Sequence, residues 1–130
     1  MQNLRSPLLL AARVLLVLLF VASGANKIAH FTGTQTYMQS MGVPGVLAPL
    51  VILLELGGGL AVLMGAMTRP VSLLLAGFTV LAGAVFHHNF SDQIQLVMFM
   101  KNLSIAGGFL ALAASGAGAL SLDAKLGRSH

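Results

Sequence analysis

Glu55 is the only glutamate in this chain of 130 residues, and it lies in the middle of an almost unbroken apolar run from Val46 to Met67. A carboxylate at the centre of a membrane-spanning helix costs about 2.5–3.5 kcal/mol on insertion scales, so such a group normally has a partner and a function. There it can bind a cation, hold a polar ligand or carry a proton. Glu55 is therefore the first candidate residue of a functional site.

Two cations lie at comparable depth in other apolar segments, Arg13 in the first and Lys101 in the fourth. We expect an Arg13–Glu55 pair, because arginine keeps its proton and its planar fork matches a carboxylate. Such a pair is either a clasp between two helices or one wall of a ligand site, and the sequence leaves both open. Lys101 either extends its long stem to the membrane surface or joins the same site.

Cations outnumber carboxylates in this half of the protein. Arg13, Lys27 and Lys101 share Glu55 as the one intramembrane carboxylate. This surplus of positive charge predicts an anionic or polarised ligand. The candidates are a quinone carbonyl, a small oxyanion, a lipid head group or an acidic residue of a partner subunit.

His87 and His88 mark the end of the third apolar segment. Adjacent residues on a helix diverge by about 100°, so the two imidazoles do not share one metal ion, and we predict no metal site. They serve either as polar anchors at the membrane surface or, in the case of His87, as part of a proton relay toward Glu55. No motif for phosphate binding or for a catalytic triad is present, so no catalytic residue is predicted.

The composition defines the class of protein that must position these residues. The chain is 57% hydrophobic and 8% charged, with a mean hydropathy of +0.92, whereas soluble domains carry about 25% charged residues. It is therefore expected to be an integral membrane protein, and the length leaves no room for a separate soluble catalytic domain. The absence of cysteine excludes thiol chemistry by this chain. The seven basic residues are dispersed, which argues against nucleic-acid binding.

Four apolar segments, each near the ~20 residues that cross a bilayer, predict an all-α membrane bundle in a single domain over residues 1–130. The expected helices cover about residues 7–26, 45–67, 70–88 and 94–115. Between the first two, residues 34–41 predict a short helix along the membrane surface, closed by Gly42 and Pro44.

The distribution of basic residues predicts the orientation. An N-terminus inside the cell places Arg5, Arg69, Lys125 and Arg128 on the cytoplasmic side and leaves Lys27 outside, in agreement with the excess of cytoplasmic Lys and Arg in membrane proteins. Both termini are then cytoplasmic.

Several short motifs resemble the DoxX family of small four-helix bacterial membrane proteins. They are Gly24-x-x-Lys27 after Arg13, Met41-Gly-Val-Pro44, Glu55-x-Gly57-Gly58, His87, Lys101-Asn102 and the ending Gly116-x-Gly118-x-x-Ser121-x-Asp123. The resemblance implies a multi-pass protein of the bacterial inner membrane. Members of that family include a subunit of an archaeal thiosulfate:quinone oxidoreductase and a mycobacterial protein that joins membrane redox partners to superoxide dismutase.

The resemblance and the buried charges together favour a quinone-binding or scaffolding component of a membrane redox or oxidative-stress system, with a redox protein partner or a second copy of the chain, rather than an autonomous enzyme. The candidate ligand-binding residues are Arg13, Lys27, Glu55, His87, Lys101 and Asn102. A small proton-coupled transporter is the alternative, although exporters of this size carry their carboxylate in the first helix beside tryptophans. A purely structural membrane subunit is the third hypothesis.

Overall fold

The computed structural model describes residues 2–128, and this part of the chain contains helices and turns but no strand. Four helices are long and apolar enough to cross a membrane, which confirms the all-α membrane bundle. They are α1 (Gln2–Ala29), α3 (Gly45–Met64), α4 (Thr68–Phe86) and α5 (Gln93–Ser115). A short α2 (Phe31–Ser40) lies between the first two, as predicted, and α6 (Leu122–Lys125) lies in the C-terminal tail.

The first helix is longer than the sequence predicts. It begins five residues before Pro7 and ends at Ala29, so at about 1.5 Å per residue it spans roughly 42 Å and exceeds the ~30 Å of a bilayer core. Pro7 lies inside this helix, where it cannot donate the backbone hydrogen bond to the carbonyl of Asn3, so the helix starts before the proline and not at it. The extra turns place Arg5 beyond the apolar segment, beside the end of α5.

The second spanning helix, α3, is irregular. It opens with a 3₁₀ turn at Gly45–Leu47, continues as α-helix over Ala48–Ile52, widens into a π-helical segment at Leu53–Gly57 and returns to α-helix over Gly58–Met64. Segments of π-helix are rare in proteins, and those that occur are often found at functional sites. Glu55 lies at the centre of this one, and no feature of the sequence predicts it.

A glycine ends α3 earlier than the predicted boundary at residue 67. Gly65 has a φ of 72°, and a Cβ at this position would lie 2.3 Å from the Cβ of Ser121. Glycine is therefore required here for two reasons: the backbone is left-handed, and Ser121 leaves no room for a Cβ. The next helix begins at Thr68, two residues before Pro70, which the sequence suggests as its first position.

The bundle consists of two helical hairpins. α1 packs along α3, and α4 packs along α5. Between them lies a core in which the rings of Phe20 and Phe109 meet edge to face, with centroids 5.3 Å apart. The other buried members of this core are Val17, Val62, Leu75, Ala76, Ala106 and Leu112.

Small residues let the first hairpin close tightly. A Cβ on Gly24 would lie 2.9 Å from the Cβ of Leu56, and one on Gly59 would lie 3.1 Å from a methyl group of Val21. Close backbone approach at small residues is the usual packing mode of helices in lipid. The large aliphatic side chains on the outer surface, such as Leu15 and Leu18, are exposed and contact the bilayer.

The bundle has two ends. We call the end where Arg5 of α1 contacts Ser115 of α5 the terminal end, because the first and last of the described residues lie toward it. The opposite end, which carries α2 and residues 87–92, is the loop end.

Candidate functional site

Glu55 forms an ion pair with Lys27. The lysine Nζ lies 2.7 Å from Oε1 of Glu55, and it also donates a hydrogen bond of 2.6 Å to Oγ of Ser23, one turn earlier on α1. Glu55 is 6% exposed, whereas the Lys27 side chain retains 26% of its accessible surface. The carboxylate is therefore neutralised by the cation that the sequence places at the membrane surface.

The prediction of an Arg13–Glu55 pair is wrong. Arg13 is completely buried, and its guanidinium donates to the backbone carbonyls of Val62 (3.4 Å), Leu63 (3.1 Å) and Leu120. The last carbonyls of a helix lack partners within the helix, so Arg13 caps α3. It lies about 21 Å from Lys27 along α1 at the helical rise, and it therefore reaches the end of α3 rather than its middle. Arg13 does not line the cavity described next, so we remove it from the ligand-binding set.

A cavity of about 730 Å³ lies between the two hairpins, toward the loop end. Its walls are mainly aliphatic and aromatic, with contributions from α1, α2, α3, α4 and α5. Ligand sites commonly have volumes of about 300–1,000 Å³ and combine apolar walls with a few polar groups. The polar and charged side chains that line this cavity are those of Ser23, Lys27, Thr34, Tyr37, Glu55, Thr79, His87, Lys101 and Asn102.

Lys101 and Asn102 contribute from α5, on the second hairpin. Asn102 is buried and donates from Nδ2 to the backbone oxygen of Thr79, 3.1 Å away. Its amide group packs against Gly83, where a Cβ would lie 3.1 Å from the Asn102 Cβ. The Lys101 side chain is half-buried and forms no hydrogen bond or ion pair with any residue in the described range 2–128. The cavity thus contains a neutralised pair on one hairpin and an uncompensated cation on the other.

His87 lies where the cavity meets the loop end. Its Nδ1 donates to Oε1 of Gln95, 2.9 Å away, because a carboxamide oxygen can only accept. His88 instead contacts the carbonyl of Val85 and is exposed. Of the six predicted site residues, five therefore line one cavity: Lys27, Glu55, His87, Lys101 and Asn102.

Comparison with known proteins assigns the chain to a family. The family model DoxX matches residues 8–88. The chain belongs to the DoxX family. The matched residues contain Lys27, Glu55 and His87, whereas Lys101 and Asn102 lie beyond them, on α5.

Two relatives that match nearly the whole chain show that the similarity also covers α5. The DoxX chain is 52% identical to the inner membrane protein YqjF of Escherichia coli (strain K12) over 98% of both chains. It is 38% identical to the inner membrane protein YphA of the same organism, over 93% of this chain and 91% of YphA. A protein of Bacillus subtilis (strain 168) named "Putative oxidoreductase CatD" is 32% identical over 79% of this chain and 82% of its own length. No solved structure matches the chain.

The terminal end of this DoxX protein contains a second polar cluster, which the sequence does not reveal. Asp123 is 1% exposed and accepts hydrogen bonds from the backbone N–H groups of Met67 (2.7 Å) and Thr68 (2.9 Å), at the start of α4. Arg128 lies 3.4 Å from the same carboxylate. Ser121 caps the tail helix α6 by accepting a hydrogen bond from the N–H of Ala124, whereas Asp123 caps α4.

The hydrogen bonds of Asp123 determine its acidity. Burial alone would raise the pKa of this carboxyl, but the backbone N–H groups of Thr68 and Met67 and the charge of Arg128 stabilise the ionised form. The net result is a pKa below the ordinary value of 3.8. Asp123 is thus a structural carboxylate that fastens the C-terminal tail to the start of α4, remote from the cavity.

Proposed function

We propose that this DoxX protein binds a quinone within the bacterial inner membrane and serves as a membrane component of a redox system. The observation that carries the proposal is the apolar cavity of about 730 Å³ in which Lys101 lacks a counterion among the described residues. A quinone combines an apolar ring with carbonyl oxygens that only accept hydrogen bonds. Lys101 and Asn102 supply donors for one of these oxygens, and the surrounding aliphatic side chains accommodate the ring.

The other polar groups of the cavity suit proton exchange at the ring. Reduction of a quinone takes up protons as well as electrons, and both Glu55 and His87 can carry a proton within the cavity wall. We place His87 on the side of the proposed outer surface, where protons are available from water.

A redox partner supplies the electrons in this proposal. The chain has no cysteine for disulfide exchange, so we assign it a binding or scaffolding role beside another redox protein. The oxidoreductase named among its relatives supports a redox setting. Its inner-membrane relatives and four spanning helices support a multi-pass location in that membrane, and we propose that both termini are cytoplasmic.

Quinone titration of the purified protein tests this function. The protein in lipid nanodiscs is titrated with decyl-ubiquinone and with a menaquinone analogue, and binding is followed by thermal shift and by quenching of tyrosine fluorescence. We expect Lys101→Met to weaken binding at least tenfold, because it removes the donor for the carbonyl oxygen.

Lys125→Met provides the matched control, since Lys125 is exposed on α6. It should bind quinone as the wild type does. Absence of binding by the wild type, or equal binding by the wild type and Lys101→Met, would contradict the assigned site.

A further inference from the structure

The two hairpins separate toward the loop end. α3 packs on α4 through its last segment, Gly58–Met64, whereas its first half packs on α1 and α2 instead. The leucines at the edges of the resulting gap line the cavity yet remain largely exposed, at 60% for Leu50 on α3 and 57% for Leu74 on α4. On a spanning helix such side chains face lipid, so the cavity opens sideways into the bilayer.

The cavity is covered at the loop end and toward the terminal end. At the loop end, α2 lies over the cavity, where Met38 is buried and the ring of Tyr37 stacks on Phe86 with centroids 5.5 Å apart and an interplanar angle of 20°. Toward the terminal end, Phe20 and Phe109 form the packed core. A ligand that exchanges with this cavity therefore has a direct path to the bilayer through the gap between α3 and α4.

Gly77 lies on the cavity wall midway along α4. A Cβ on this residue would meet no atom within 4 Å, so helix packing does not require glycine here. Glycine also destabilises a helix relative to alanine. Gly83 on the same helix differs, because its Cβ would press on Asn102 at 3.1 Å. The open space at Gly77 is therefore available for a ligand.

We propose that the gap between the first half of α3 and α4 is a lateral portal for the isoprenoid tail of the bound quinone, and that Gly77 keeps this portal open. The proposal rests on the proposed function. With the ring held at Lys101 and Asn102, the tail passes the exposed leucines into lipid and never crosses water. The ligand class is thereby narrowed to quinones with an apolar tail that enter from the membrane.

A glycine-to-leucine substitution at the portal tests this inference. Gly77→Leu is compared with the wild type and with Gly107→Leu, a control on α5 where a Cβ likewise meets no atom within 4 Å and which does not line the cavity. Each protein in nanodiscs is titrated with an isoprenoid ubiquinone of two isoprene units and with the same ring without a tail. Using the same lipid for all variants cancels differences in partitioning, and circular dichroism checks the helix content.

We expect Gly77→Leu to weaken binding of the tailed quinone at least tenfold and to leave binding of the tailless ring unchanged, with Gly107→Leu binding both as the wild type does. Gly77→Ala, a smaller obstruction, should give an intermediate loss. Unchanged binding of the tailed quinone by Gly77→Leu would overturn the portal alone. An equal loss for both probes would place residue 77 in the ring site and overturn it too. Wild-type protein that bound neither probe would refute the proposed function together with the portal.

Discussion

The pairing of Glu55 with Lys27 changes how charge is distributed in the cavity. A carboxylate and an ammonium 2.7 Å apart neutralise each other at one wall, so the uncompensated charge of the cavity resides on Lys101. Arg13 is also a cation, but its guanidinium donates hydrogen bonds to backbone carbonyls of α3. The surplus of positive charge predicted from the sequence is therefore carried by Lys101.

A double-mutant cycle tests which cation holds Glu55. Removing one member of a contacting pair leaves the other charge unpaired, so Lys27→Met and Glu55→Gln should be coupled by about 1–2 kcal/mol in the free energy of unfolding. Arg13→Met should destabilise the protein by itself, by roughly 2–4 kcal/mol, because it leaves buried carbonyls without donors. Combined with Glu55→Gln, its effect should be additive within about 0.5 kcal/mol.

Reversible unfolding in mixed micelles, followed by circular dichroism, supplies these free energies. Ser23→Ala is the control, since it removes only the hydrogen bond that Lys27 donates to the hydroxyl. Strong coupling of Glu55 to Arg13 with none to Lys27 would contradict the observed pair.

Lys27 could not be predicted from the sequence as the partner of Glu55, and the reason is geometric. Helical periodicity places Arg13 and Lys27 near one line of α1, and that face does point at α3. Periodicity does not determine the level at which two helices meet. The relative shift of α1 against α3 depends on contacts such as that between Gly24 and Leu56, and it brings Lys27, not Arg13, to the depth of Glu55.

Charged side chains also cap the helices at the terminal end. Arg69 and Arg5 donate to the last carbonyls of α5, including those of Ala113 and Ser115, while Arg13 does the same for α3. Asp123 accepts hydrogen bonds from the first N–H groups of α4. Cations at helix C-termini and an anion at an N-terminus each complement the helix dipole. Arg5 and Arg69, two of the basic residues from which the orientation is predicted, therefore also stabilise the end of α5.

The capping of α4 by Asp123 makes stability depend on pH. The folded pKa lies below the ordinary 3.8, so the unfolded chain takes up its proton first as pH falls, and the stabilisation present at neutral pH is lost below about pH 4. Asp123→Asn should therefore lower the free energy of unfolding at pH 7, by about 1–3 kcal/mol. The difference from the wild type should shrink toward pH 3. Thermal unfolding in detergent between pH 3 and pH 7 measures it.

Asp92→Asn is the matched control for this experiment. Asp92 is exposed and caps α5 by accepting from the N–H of Ile94 at 3.0 Å, and asparagine is an equally good cap. It should change stability little at either pH. A deficit of Asp123→Asn that stayed constant from pH 7 to pH 3 would argue that the carboxylate acts by shape and not by charge.

At the scale of the whole molecule, helix number and order follow directly from hydropathy. Each apolar segment is about one bilayer long, and Arg69 and the Gly42–Pro44 turn separate them clearly. The cavity cannot be predicted from hydropathy, because it arises where the two hairpins separate. In this region the backbone of α3 is irregular around Glu55, and α2 packs over the loop end. Neither leaves a periodic signal in the sequence.

The distribution of charge between the two ends predicts how the whole molecule is oriented. Arg5, Arg69, Lys125 and Arg128 gather at or near the terminal end, while Lys27, toward the loop end, is paired with Glu55. Cytoplasmic flanks carry the excess of Lys and Arg, so the loop end should face outward.

The native chain has no cysteine, so a single introduced thiol reports one position only. A membrane-impermeant maleimide applied to intact spheroplasts should label Asn89→Cys at the loop end and leave Ala119→Cys at the terminal end unlabelled until lysis. Both positions are exposed in the structure, so access to the reagent, and not burial, separates them. The reverse pattern would place the termini outside and would put His87 and the α2 cover of the cavity on the cytoplasmic side.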